Sequence, residues 1–303
     1  MALAVIGGAG PLGRSILRAS AGHYTDIRLG DMYPFRPAVY RLQECLAPQT
    51  FTKHALSHPT SLKLALTGAV HAIVVTHDYY KLAHSKNFFV EKAAFMAKQL
   101  GVKRLTLVYP LGYDQLNPAD GEPEKLRKEA EERAKTLMPE LSILRTSMVF
   151  GGEGTDHALS IALQQLSESK SPAFPNEGRA KFQPVNEDDV LSALRALQPK
   201  EDVTLAGPET LSWAEMCNVL KEHVGQKEVA LGGGLEGVRT VLAQSGWFGD
   251  LLYPSHVQQL YWLLAQDRLP VPTKTGTKKF AEAYPAGAFK GAADKFWWRV
   301  IAD

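Results

Sequence analysis

A glycine-rich turn joins an apolar strand to a helix at the start of the chain, and it constrains the fold more than any other feature. Residues 2–6 are the apolar run ALAVI, residues 7–13 read GGAGPLG, and a helical pattern follows over residues 14–19. A turn of this kind binds anions, because free backbone N–H groups and the helix dipole point toward the anion. This order predicts the first β–α unit of a Rossmann fold that binds a dinucleotide.

The three spaced glycines of the turn have separate expected roles. Gly7 permits the tight turn, Gly10 lets the backbone approach a pyrophosphate, and Gly13 lets the helix pack closely on the strand. Pro11 and Leu12 lie between the last two of these glycines and complete the predicted cofactor-binding loop. The spacing G-x-x-G-x-x-G is typical of extended short-chain dehydrogenase-like proteins.

Two residues near the end of the second predicted strand bear on the choice of cofactor. Asp31 ends that strand about 20 residues after the loop, where an acid binds the adenine ribose hydroxyls. A carboxylate at this place repels a 2′-phosphate and favours NAD(H). Arg36 follows in the next loop and is able to turn toward such a phosphate. The cofactor form therefore stays open, and the alternative for Asp31 is a solvated loop acid.

Strands and helices alternate through the first half of the chain. Strands are predicted at residues 2–6, 27–31, 49–52, 71–76, 104–108 and 142–145, and the clearest later helices at 87–99 and 122–137. Apolar strands with helical crossovers predict an α/β fold with a doubly wound parallel sheet. Residues 1–150 are thus predicted to be a dinucleotide-binding Rossmann domain. Residues 151–303 are predicted to form a smaller, mostly helical C-terminal lobe that is partly interleaved with the sheet.

Composition narrows the function classes. The 34 basic and 32 acidic residues give a net charge of +2, which argues against a nucleic-acid partner. No apolar run is long enough to span a bilayer, and no presequence is expected before the first strand. The two cysteines and nine histidines lack metal-ligand spacing, so no metal site is predicted and a reduced compartment is expected.

The proton-transfer pair of a short-chain dehydrogenase is missing from the sequence. That chemistry needs a Tyr with a Lys four residues later, which lowers the pKa of the Tyr hydroxyl and holds the ribose. None of the ten Tyr residues has a Lys at that position. We therefore predict no catalytic residues, and an unconventional acid at Tyr109 or Tyr113 is the alternative.

Further candidate residues follow the fourth predicted strand, and aromatic residues mark the end of the chain. Thr76 and His77 lie at the carboxyl edge of the sheet, where ligands bind, and are predicted to contact the cofactor. His77 with Asp78 is also able to perform acid–base chemistry, although such residues more often close a loop by hydrogen bonds. The Phe-Trp-Trp run at 296–298 is either core or a docking surface for a partner or a membrane.

The order of motifs resembles the alpha-subcomplex subunit 9 family of mitochondrial respiratory complex I, an atypical short-chain dehydrogenase group. Besides the glycine loop, the similar segments are THDY at 76–79, KNF at 86–88, QLGVKR at 99–104, LRKEAE at 126–131, RTSMVFG at 145–151, QPVNEDDV at 183–190 and GPE at 207–209. The resemblance covers roughly residues 1–225. The family often has a basic residue where this chain has Asp31, and Thr146 replaces its usual Pro.

The resemblance implies a non-catalytic accessory subunit that holds NADP(H) as a structural element. It implies other complex I subunits as partners, a place on the matrix side of the mitochondrial inner membrane near the quinone site, and possible lipid contact through the C-terminal lobe. Two alternatives remain from the residues. One is a free NAD(P)-dependent reductase or epimerase, and the other is a regulator that senses the bound dinucleotide.

Overall fold

The structure is a computed structural model that describes most of the first two thirds of the chain. The described residues are 1–31, 42–56, 59–75, 89–110, 122–152, 159, 162, 166, 174–225, 267 and 269–284.

Twelve strands and seven helices form the described part of the chain. The strands are β1 (Ala2–Ile6), β2 (Asp26–Asp31), β3 (Thr50–Ala55), β4 (Ala69–Val75), β5 (Arg104–Pro110), β6 (Ser142–Thr146), β7 (Val149–Phe150), β8 (Lys181–Phe182), β9 (Val185–Asn186), β10 (Asp202–Ala206), β11 (Leu211–Ser212) and β12 (Lys274–Thr275). The helices are α1 (Pro11–Ala19), α2 (Pro59–Leu66), α3 (Phe89–Gln99), α4 (Glu122–Leu137), α5 (Glu187–Ala196), α6 (Trp213–Val224) and α7 (Phe280–Ala283).

Eight of the strands form one parallel sheet in the order β12-β10-β6-β5-β4-β1-β2-β3. Strand β1 lies between β2 and β4, so the chain reverses its direction of travel through the sheet at β1. In an open α/β sheet, ligands bind at this switch point, beyond the carboxyl ends of the strands. The predicted doubly wound parallel α/β fold is confirmed, and the glycine loop lies at its switch point.

Both faces of the sheet are covered because successive residues of each central strand point to opposite sides. In β1, Leu3 and Val5 pack in one core with the buried face of α1, whereas Ala4 and Ile6 pack in a second core against α2 and α3. All five residues of β1 are buried. A strand buried on both faces is the reason that residues 2–6 form a continuous apolar run rather than an alternating one.

The second half of the chain contributes to the same sheet. Strand β10 pairs with β6, and β12 pairs with β10 at the edge. A third core gathers around Trp213, whose indole stacks on Phe174 at 4.3 Å between ring centroids and meets Phe182 edge-on at 5.1 Å. The boundary at residue 150 stays a prediction, and residues 226–266 and 285–303, including the Phe-Trp-Trp run, lie outside the described residues.

Local sequence signals located most elements but not all of their ends. The first helix begins at Pro11, three residues before the predicted start, because proline at the first helical position already has the required φ. Asn186 caps α5, since its side-chain oxygen accepts a hydrogen bond from the Asp188 N–H at 3.0 Å. Helix α2 was not predicted, because eight residues give too short a periodic pattern.

Three polar side chains form a hydrogen-bonded row near the amino ends of strands β4 and β5, at the edge of the sheet away from the glycine loop. The His71 ring lies 3.0 Å from the Tyr24 hydroxyl through Nδ1 and 3.0 Å from the Thr106 hydroxyl through Nε2. Burial, together with the nearby positive charge of Arg104, lowers the pKa of His71 to about 3. His71 is therefore a neutral structural residue that links β4 to Thr106 in β5 and to Tyr24, which lies just before β2.

Candidate functional site

Two glycines of the loop are required by the protein's own packing. Gly7 has a φ of +80°, and a Cβ there would lie 2.0 Å from the carbonyl oxygen of Val75 in β4. A Cβ on Gly13 would lie 2.6 Å from the Gly7 carbonyl oxygen and 2.6 Å from the Gly8 Cα. Real side chains do not tolerate such distances. The turn at Gly7 and the close approach of α1 to the loop therefore both depend on glycine.

Gly10 differs because the protein leaves space beside it. Its φ of −69° and ψ of 165° suit any residue, and among the described residues a Cβ there would meet only the Gly7 carbonyl oxygen, at 3.8 Å. Gly10 is also the N-cap of α1 and makes no side-chain capping bond. The described packing thus gives no reason for glycine at this position. A ligand that approaches the backbone at the helix N-terminus would supply such a reason.

Three hydrogen bonds hold the loop in place. The Gly7 N–H donates to the Gly30 carbonyl oxygen at 2.7 Å, which ties the loop to the end of β2. The Ala9 N–H donates to Asp31 Oδ2 at 3.0 Å, and the Ala9 carbonyl oxygen accepts from Arg14 Nη1 at 2.9 Å. Asp31 is only 3% exposed. The alternative of a solvated loop acid is therefore wrong, because this carboxylate is buried against the glycine loop.

The structure brings together six of the nine predicted cofactor residues, those of the loop and Asp31. The other three, Arg36, Thr76 and His77, lie outside the described residues, as does Tyr113. Their roles stay predictions. Sequence reasoning missed Arg14, which directly follows the glycine motif, because nothing in the motif indicates that a helix residue turns back to bind the loop.

Tyr109, one of the two alternative proton donors, lies inside the core. It is 4% exposed and packs in the layer between the sheet and helices α3 and α4. The Arg145 guanidinium lies 5.3 Å from the centre of its ring and donates to Glu131 at 2.9 Å and to Asp202. Burial raises the pKa of Glu131, and the attraction of Arg145 opposes that rise. Tyr109 is therefore a buried core residue beside this ion-pair network.

Two motifs of the second half hold a later segment against the sheet. Asp189 accepts hydrogen bonds from the Thr277 N–H at 2.9 Å, the Thr277 hydroxyl at 2.8 Å and the Lys278 N–H at 3.2 Å. Glu209 accepts from the Phe280 N–H at 3.0 Å. These carboxylates anchor the chain between β12 and α7, and Phe280 then enters the third core. The sequence motifs that contain Asp189 and Glu209 did not indicate these structural roles.

The same two motifs also touch each other. A Cβ on Gly207 would lie 1.7 Å from the Pro184 carbonyl oxygen, and the Gly207 N–H donates to the Gln183 carbonyl oxygen at 3.1 Å. Glycine at 207 is therefore needed for the close passage of one loop over the other.

Other kinds of site find no support in the part of the chain that the structure describes. No group of three His, Cys, Asp or Glu side chains there is placed to hold a metal ion, and no helix there has the length and hydropathy to cross a bilayer. Burial raises the pKa of the Cys217 thiol to about 12, so this thiol is chemically inert, while Cys45 is exposed.

Comparison with known proteins gives structural relatives only. No protein-family model and no curated protein sequence matches the chain. The UDP-glucose 4-epimerase of Thermotoga maritima, solved with UDP-glucose, is 14% identical with a TM-score of 0.68, covering 96% of this chain and 97% of its own. The Bordetella bronchiseptica enzyme WbmH, solved with NAD+, is 14% identical with a TM-score of 0.66, covering 98% of each chain.

A reductase has the same fold. The triphenylmethane reductase of a Citrobacter species, solved with NADP(H), is 15% identical with a TM-score of 0.64, covering 94% of this chain and 95% of its own. An epimerase, an enzyme solved with NAD+ and a reductase thus share this fold over nearly its whole length. The chain has the Rossmann-like fold that these solved proteins share.

Proposed function

We propose that the chain binds a nicotinamide dinucleotide at the glycine loop, with the diphosphate at the N-terminus of α1. The observation that carries this proposal is the space beside Gly10, flanked by two glycines that the fold itself requires. Backbone N–H groups of the loop and the helix dipole would hold the diphosphate. Several solved proteins of this fold were crystallised with NAD+ or NADP(H).

Asp31 favours NAD(H) over NADP(H). It ends β2 beside the loop, where the adenine ribose hydroxyls of a bound dinucleotide would lie. Its carboxylate would accept hydrogen bonds from those hydroxyls and repel a 2′-phosphate. When bound, the nicotinamide group would be able to carry a hydride, but the chain lacks the Tyr and Lys pair that moves the accompanying proton.

We expect Gly10→Ala to weaken NADH binding at least about tenfold while the fold is kept. A methyl group fits the protein at this position but occupies the space that the diphosphate needs. The dissociation constant is measured by titration calorimetry, and the free energy of unfolding by urea denaturation. Stability should stay within about 1 kcal/mol of wild type. Unchanged NADH affinity in a folded Gly10→Ala protein would show that no diphosphate lies there.

At the finer level, we propose a non-catalytic accessory subunit of mitochondrial complex I on the matrix side of the inner membrane. Two observations support it: the order of the resembling motifs, and the missing proton-transfer pair combined with the burial of Tyr109 in the core. In this role the dinucleotide is structural. A bound ligand stabilises the folded state through mass action, so removal of the cofactor would lower the stability of the subunit.

Co-migration tests this finer proposal. A tagged copy of the chain is expressed in cells of its source organism. We expect it to migrate on a native gel with a large respiratory assembly, and mass spectrometry identifies the other subunits of that assembly. Gly10→Ala should reduce the assembled fraction, because a subunit with weaker cofactor binding is less stable. Migration as a free protein, in wild type and variant alike, would count against the complex I role and leave dinucleotide binding intact.

A free NAD(P)-dependent reductase or epimerase is the second candidate, and the solved relatives of this fold favour it. It requires a proton donor other than Tyr109, since that hydroxyl lies in the core. Turnover of NAD(P)H with a carbonyl substrate, lost in Tyr113→Phe, would establish this candidate and overturn the non-catalytic role.

A further inference from the structure

Helix α1 carries a buried positive charge at the end that is already positive. Arg14 is 3% exposed and lies in the first turns of α1, and that helix has no acidic residue in its first turn. A helix N-terminus normally attracts acidic residues because its free N–H groups carry partial positive charge. A buried arginine at this end raises the positive potential further. The Asp31 carboxylate lies at the same end, where it accepts the Ala9 N–H at 3.0 Å.

The guanidinium of Arg14 also sets the direction of one peptide group. Arg14 Nη1 donates to the Ala9 carbonyl oxygen at 2.9 Å. That carbonyl belongs to the same planar trans peptide as the Gly10 N–H, so the two groups point in opposite directions. When Arg14 holds the oxygen on its own side, the Gly10 N–H is turned the other way. Gly10 is also the loop glycine with open space beside it.

Asp31 fixes the neighbouring peptide by the same geometry. Its carboxylate accepts the Ala9 N–H at 3.0 Å, so Ala9 is held through both its N–H and its carbonyl. The loop is therefore prepared before any ligand arrives. Groups that are already oriented bind more tightly, because no ordering cost remains at the moment of binding.

We propose that Arg14 is a positioning residue for the diphosphate, acting through the Ala9–Gly10 peptide and through its fixed positive charge. The inference rests on the proposed dinucleotide site and adds a residue outside the glycine motif to it. Arg14 itself lies behind the loop and does not touch the ligand.

The test compares ligands with and without a diphosphate. In Arg14→Met, we expect the affinities for NADH and ADP-ribose to fall about tenfold, and the affinity for adenosine to change less than about twofold. NADH and ADP-ribose are titrated by calorimetry, and adenosine by saturation-transfer NMR. Arg18→Met is the matched control, because Arg18 lies on the same helix in an exposed position. It removes the same charge from the same helix and should leave all three affinities unchanged.

The outcomes separate this inference from the proposed function. If wild type binds no NADH, the dinucleotide site itself is wrong. If wild type binds but Arg14→Met retains NADH affinity, or loses adenosine affinity equally, Arg14 has no positioning role. Should Arg14→Met fail to fold, Arg14→Lys keeps the charge without the forked donor geometry. The ratio of NADH to adenosine affinity should then fall about threefold, and an unchanged ratio overturns the inference.

Discussion

We expect Gly7→Ala to lower the free energy of unfolding by about 3 kcal/mol. Two costs add at this position. An alanine with a φ of +80° is strained by about 1 kcal/mol, and its Cβ would lie 2.0 Å from the Val75 carbonyl oxygen. The loop must then move away from β4, which lies at the centre of the sheet. The loss is measured by urea denaturation at constant m-value.

Gly22→Ala is the matched control for this prediction. Gly22 has a φ of +84°, close to that of Gly7, but no atom of the described residues lies within 4 Å of the position of an added Cβ. It should therefore show only the backbone strain of about 1 kcal/mol. The difference between the two variants isolates the collision with β4. Equal losses would contradict the close approach of the loop to Val75.

We expect Arg145→Met to cost about 3 kcal/mol at neutral pH. The Glu131 side chain is only 8% exposed, and its carboxylate accepts a hydrogen bond from Arg145 at 2.9 Å. Removal of the cation leaves a buried carboxylate without its main compensating charge. Arg133→Met is the control, because Arg133 lies on the same helix as Glu131. Its partner Glu91 lies at 3.0 Å, but both of these side chains are exposed. That exposed pair should contribute less than about 1 kcal/mol.

The cost of Arg145→Met should also depend on pH. Burial already raises the pKa of Glu131 in the folded protein, and the loss of Arg145 raises it further. A group whose pKa is higher in the folded state contributes stability below its unfolded pKa and loses it as the pH rises. The deficit should therefore shrink as the pH falls toward about 4.3, the ordinary pKa of glutamate.

The double variant Arg145→Met with Glu131→Leu removes both charges and should recover part of the stability at neutral pH. Urea denaturation between pH 4 and pH 8 follows both effects. A deficit of the same size across this range, with no recovery in the double variant, would show that Glu131 is not the source of the cost.

Local signals in the sequence were enough to predict the central part of the Rossmann fold. A continuous apolar run predicted a strand buried on both faces, and β1 is that strand, with Leu3 in one core and Ala4 in the other. The glycine spacing located the turn at Gly7 and the close packing at Gly13. These features depend on the chain's own periodicity and on the absence of a side chain, so neighbouring residues in sequence suffice to reveal them.

Contacts between distant segments were beyond such reasoning. Asp189 and Glu209 were noted only as members of resembling motifs, but they bind the backbone at Thr277 and Phe280, about 70 to 90 residues later in the chain. Tyr109, an alternative proton donor by sequence, directly follows the fifth predicted strand, yet its side chain packs in the layer under α3 and α4. Which face of a strand is covered, and by what, is decided only when the other elements pack on it.

The glycine loop combines features that the sequence predicts with features that only the packing of distant segments reveals. The sequence by itself determined that a strand, a tight glycine turn and a helix N-terminus follow each other, because each depends on local backbone geometry. Only the tertiary structure decided that Asp31 is buried against Ala9, that Arg14 turns back onto the same residue, and that space remains beside Gly10. Those facts depend on how β2 and α1 pack against the loop, and packing brings together atoms that sequence spacing does not relate.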